Sequence, residues 1–99
     1  MLNETFNGRQ RYDTGTIVKH FKREILEKHE ELRDGDMRYL YVILAHAQNT
    51  ETGEIYVVYC QLYGDRKVWV RPADMFYSKV DTVKYPNVSQ VYRFIEVEV

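Results

Sequence analysis

Residues 55–76, reading IYVVYCQLYGDRKVWVRPADMF, limit the fold of this chain more than any other stretch. The first part, 55–63, is crowded with β-branched and aromatic side chains, which lose rotamer freedom in a helix and suit a pleated surface. A strand is therefore expected, with Tyr56, Val58, Cys60 and Leu62 on one face and Ile55, Val57, Tyr59, Gln61 and Tyr63 on the other. Both faces are largely apolar or aromatic, the mark of a strand inside a sheet and covered on both sides. Gly64-Asp65-Arg66-Lys67 supplies the residues of a short reversal, and 68–71 resumes the strand pattern. Pro72 has no N–H to give to a ladder, so the second strand should end there.

The rest of the chain extends this hairpin. Residues 37–48 read as a further strand, with Tyr39, Tyr41, Ile43, Ala45 and Ala47 opposed to Leu40, Val42, Leu44 and His46. The polar, glycine-containing segment 49–54 is a hairpin loop, so the strands on either side of it and 68–71 make an antiparallel meander. Residues 73–76 suit one helical turn that sends Met75 and Phe76 inward, with a short strand expected at 79–83 and a closing edge strand at 92–99. Before the meander, 16–21 reads as a short strand on a basic interval, most simply a solvated edge guarded by lysine. In 22–33 the period changes: Ile25, Leu26, His29 and Leu32 form one narrow stripe, Glu24–Lys28 and Arg23–Glu27 are opposite charges four apart, and Gly35 offers a stop. The expected fold is mainly β with one short helix, either a small SH3-like barrel or a strongly bent antiparallel meander packed on that helix. Residues 15–99 form the single small β domain, with the helix inserted at about 22–33, and 1–14 form a loosely ordered arm.

Composition narrows the functional classes. With 14 basic and 15 acidic residues the chain has no general electrostatic hold on nucleic acid, although a local patch can still form. The single cysteine cannot close an internal disulfide, no apolar run spans a bilayer and no secretory segment is present, so a reducing cytoplasm is the expected home and no membrane role is expected. Cys60 is flanked by strand residues, as an inert, packed thiol would be. His20, His29 and His46 are far apart, no Cys/His spacing suggests zinc, and no glycine loop cradles phosphate, so no metal, cofactor or catalytic residue is assigned.

An ordered series of short motifs resembles the small bacterial family catalogued as domain of unknown function 1653. They are Gly15, His20-Phe21-Lys22, Tyr41, Thr50-Glu51-Thr52, Val57-Val58-Tyr59, Leu62-Tyr63-Gly64-Asp65, Trp69-Val70-Arg71-Pro72, Met75-Phe76 and Arg93-Phe94. The resemblance runs from about Gly15 to the end. Two features depart from the family pattern: the helix at 22–33 replaces a glycine-rich turn, and Asn49 stands where a histidine is usual. Since the family's activity is itself not established, the resemblance implies a fold more than a function.

Candidate site residues follow from the hairpin. Trp69 and Arg71 share a face, and Tyr63 and Asp65 lie at the turn beside them. Together with His20 and Lys22 they would make an aromatic and cationic surface suited to a peptide, an acidic group or a base. The plainer alternative buries Trp69 in the core and pairs Arg71 with Asp65 or Asp74. Three functions stay open. A non-enzymatic protein- or peptide-interaction module would use that surface. A nucleic-acid-binding accessory protein would use Arg9, Arg11, Lys19, Lys22, Arg66 and Lys67, and a small enzyme would need His20, Arg71 and a carboxylate converging in a pocket. The abundance of tyrosine also suits a homodimer interface.

Overall fold

Three antiparallel strands form the middle of the molecule as the alternation predicts: β4 (Leu40–Gln48), β5 (Ile55–Gln61) and β6 (Val68–Pro72). The computed structural model describes residues 5–97. It adds β3 (Ile17–His20) and β7 (Phe94–Glu96) to give a five-stranded sheet in the order β6-β5-β4-β3-β7. β3 thus lies between β4 and β7, not at a solvated edge, and the closing strand is the real edge; the part of it expected at 98–99 lies outside the described residues. The predicted strand at 79–83 is reduced to one bridge, Lys79 with Tyr92, within a long connection.

The sheet does not close into a barrel, because β6 and β7 each keep one unpaired edge. It is nevertheless strongly curled. Three strand spacings separate β5 from β7, about 14 Å if the sheet were flat, yet the rings of Tyr59 and Phe94 are 5.5 Å apart on the concave face. The short helix α2 (Ala73–Phe76) fills the gap between the two edges, placing Phe76 against Phe94 in a stack at 4.1 Å and burying Tyr77 completely. Met75, expected inside beside Phe76, is exposed. Part of the curl comes from a bulge at Leu44, where the register slips between Ile43 and Ala45. Past the bulge the faces exchange, so His46 lies on the core side with Val57, and Leu44 is left at the surface. On β5 only Val57, Tyr59 and Gln61 are buried, and the opposite face is half-exposed, so that strand is covered on one side.

The helix α1 is shorter than its pattern suggests, Lys22–Lys28, although both predicted ion pairs form, Glu24 with Lys28 at 2.9 Å and Arg23 with Glu27 at 4.0 Å. It stops at a Schellman turn: Glu31 N–H donates to Leu26 O at 2.9 Å, Glu30 N–H donates to Glu27 O at 3.1 Å, and Glu30 itself has φ +56°. Gly35 is not the stop. At the other end of the chain, β1 (Thr5–Phe6) and β2 (Arg9–Gln10) form a small ribbon in the arm expected over 1–14, with Phe6 stacked on Tyr77 at 5.3 Å; residues 1–4 lie outside the described residues.

Candidate functional site

The curl of the sheet turns its concave face into a groove of about 260 Å³. Five of the six residues expected to form a surface line it: His20, Lys22, Tyr63, Trp69 and Arg71. Register accounts for two of them, because Trp69 and Arg71 stand opposite Tyr59 and Val57 on the core side of β5, but at the edge strand, where the core ends. Trp69 is therefore 45% exposed, not core. Its indole N–H donates to Gln61 Oε1 at 2.9 Å, and the Gln61 amide donates in turn to Asp65 Oδ1 at 2.9 Å and to Tyr63 O at 3.1 Å. Asp65, the sixth expected residue, is thus a support behind the groove and not part of its wall. Gln61 is itself buried, so its polar atoms need these partners, and that need fixes the indole.

Arg71 takes no carboxylate among the described residues. Its Nε donates to Tyr59 Oη at 3.1 Å and its Nη1 contacts Met75 Sδ at 3.4 Å, so the expected pairing with Asp65 or Asp74 does not form. His20, 8% exposed, accepts the Lys22 backbone N–H on Nδ1 at 3.1 Å, which puts its proton on Nε2 and leaves that N–H as its remaining donor. Burial first, then the nearby cations of Arg93, Lys22 and Arg71, lower its pKa to about 3, so the ring is neutral at ordinary pH. The opposite wall is tyrosine: Tyr41 and Tyr63 share a hydrogen bond at 2.9 Å, and desolvation raises the Tyr41 hydroxyl well above its usual range. Tyr39, packed 5.9 Å from His20 and 6.0 Å from Tyr63, has φ +64°, an unusual backbone for an aromatic residue. Among the described residues no acidic side chain lines the groove. The arrangement holds flat rings beside the cations of Arg71 and Lys22 and a neutral donor, so it can take an anionic group attached to an apolar or planar one.

A family model described as a protein of unknown function, DUF1653, matches residues 16–96. The chain belongs to the DUF1653 family. No curated protein and no solved structure matches it. In this DUF1653 chain the motif run from Val57 to Phe76 covers one wall of the groove and its support, while His20-Phe21-Lys22 supplies the neutral imidazole and the Lys22 cation.

Sequence reasoning overlooked Gln61 and Tyr39. Gln61 looked like one polar residue in an apolar strand, and a polar residue on the buried face of a predicted strand was the available signal. The six basic residues considered for nucleic acid do not behave alike. Arg9 is built into the fold, donating to Phe94 O at 3.1 Å and Tyr12 Oη at 2.7 Å and lying 4.0 Å from the Tyr92 ring, and Lys67 pairs with Asp65 at 3.7 Å. Among the described residues no group of three or more His, Cys, Asp or Glu side chains is placed to hold a metal, and no helix is long and apolar enough to cross a membrane.

Proposed function

We propose that this protein is a non-enzymatic interaction module whose groove takes an acidic, ring-bearing or apolar segment of a peptide or protein. The observation that carries the reading is the exposed, immobilised Trp69. A buried glutamine and an aspartate hold an indole that gains little from the core, an arrangement that suits binding because the side-chain entropy is lost before the partner arrives. Tryptophan and arginine, both present in the groove wall, are also among the residues that most often dominate interface energies. The neighbouring edge supports the same use. Gln61 N–H bonds Lys67 O at 3.0 Å, so the residues of β6 paired through hydrogen bonds to β5 are Trp69 and Arg71, and the backbones of Val68 and Val70 face outward, free to pair with an extended segment.

A displayed library of random peptides, panned on the intact chain and then on Trp69→Ala, tests this. Enriched peptides are expected to be acidic and to bind Trp69→Ala about 30-fold more weakly or worse, with an unchanged circular dichroism spectrum. Peptides that bind both proteins equally, or no enrichment at all, overturn the reading.

A further inference from the structure

Beside the groove lies a second cavity of about 300 Å³ that shares His20, Lys22 and Arg71 with it and adds Arg93, Lys84 and Asp81. Its charge is unbalanced. Arg93, half-buried, donates from Nε to Ser78 Oγ at 3.4 Å and faces no carboxylate among the described residues, and Arg71 and Lys22 likewise lack one. Asp81, the one acidic residue in the lining, accepts the backbone N–H groups of Val83 at 2.9 Å and Lys84 at 3.1 Å on Oδ1, and its single charge leaves the cations of Lys22, Arg71, Lys84 and Arg93 in excess. Burial and the nearby Arg71 lower the Arg93 pKa, which is to say that the two guanidiniums repel each other in a partly desolvated place. Like charges held together in excess of the one carboxylate beside them favour an anion, and guanidiniums in particular match the oxygens of phosphate. Glu24 accepts the N–H groups of Ser89 at 2.6 Å and Gln90 at 2.8 Å, tying the end of the long connection before β7 to α1, while Tyr85 packs on Phe21 at 4.7 Å and the turn on Asp81 holds the Lys84 backbone.

We infer that this recess binds a phosphate monoester whose attached flat ring lies in the adjoining aromatic groove, with Arg71 between the two. The inference rests on the reading of the groove as a binding site and names the ligand chemistry it takes. His20 suits it, because a ring kept neutral with its proton on Nε2 donates to phosphate oxygen without a change of protonation. The monoester can be a phosphorylated tyrosine of a partner segment or a nucleoside monophosphate, which share this chemistry.

The test is a chemical-shift titration of the labelled full chain at fixed ionic strength with sodium phosphate, phosphotyrosine and adenosine monophosphate, against sodium chloride. Phosphate is expected to shift the side-chain Nε signals of Arg71 and Arg93 saturably. At least one of the two ring-bearing esters should bind about tenfold more tightly than phosphate and move the Trp69 indole signal as well, and the tighter of the two identifies the source. Arg93→Gln should weaken phosphate about tenfold. Lys84→Gln, at an exposed position, should weaken it several-fold without risk to folding. Shifts reproduced by chloride, or affinity unchanged in both variants, overturn the inference. If peptides selected on Trp69 still bind while phosphate does not, the groove reading survives and the recess does not.

Discussion

His20 shows how one residue ties the stability of this domain to the chemistry of its groove. Its pKa is about 3 when folded and 6.5 in the reference state, so below about pH 6.5 the unfolded chain takes up a proton that the native chain refuses. Stability is therefore full above that value and is lost as pH falls toward 3. Thermal melts from about pH 7 to pH 4 should show a falling midpoint, and His20→Gln should remove a large part of that slope. In the native protein the His20 ring signals should stay those of a neutral imidazole throughout. A ring that titrates near 6.5 would mean the site is more hydrated than its 8% exposure implies. The aromatic and basic character of this neighbourhood was legible in the order of residues, since Trp69 and Arg71 differ by two in a strand. The use of Nδ1 to hold Lys22 was not, because it depends on the chain turning into a helix directly after the strand.

At the scale of elements, α1 is governed by its last turn. Glu30 occupies a left-handed conformation that costs a residue with a side chain about 1 kcal/mol or more and glycine almost nothing. Glu30→Gly should therefore stabilise the domain by about 1 kcal/mol, raising the melting midpoint by roughly 4–8 °C for a chain of this size. A lower midpoint would show that the Glu30 side chain contributes more than its backbone costs. The sequence pointed to Gly35 because glycine is the usual helix stop; hydrogen bonds from Glu30 and Glu31 back into the helix leave no comparable sign in the residue string. The Leu44 bulge escaped for the same kind of reason, since a strand that slips one residue keeps an apparently continuous alternation while exchanging its faces.

Taken whole, the molecule depends on an aromatic seam that replaces barrel closure. Phe94, from the last strand, meets Phe76, Tyr59, Tyr41 and His20 at 4.1, 5.5, 5.6 and 5.0 Å, so one side chain joins both ends of the curled sheet. Phe94→Ala should cost about 3–5 kcal/mol in urea unfolding, a large share of what a domain this small possesses, and should loosen the groove at the same time. A loss below about 1 kcal/mol would mean that the strands hold the curl without the seam. Local pattern announced the meander, from β4 to Pro72, because its strands are neighbours in the chain. The pairing of β7 with β3 and the meeting of Arg93 and Lys84 with Arg71 join residues far apart across a non-periodic connection, where no local rule applies. Last, Trp69 is the chain's single tryptophan. Because indole absorbs further to the red than phenol, red-edge excitation isolates its emission from that of every tyrosine, and its place half in water and bonded to Gln61 makes that emission sensitive to the groove. The protein thus carries its own optical gauge, which reads occupancy of the groove from quenching or a colour shift with no label attached.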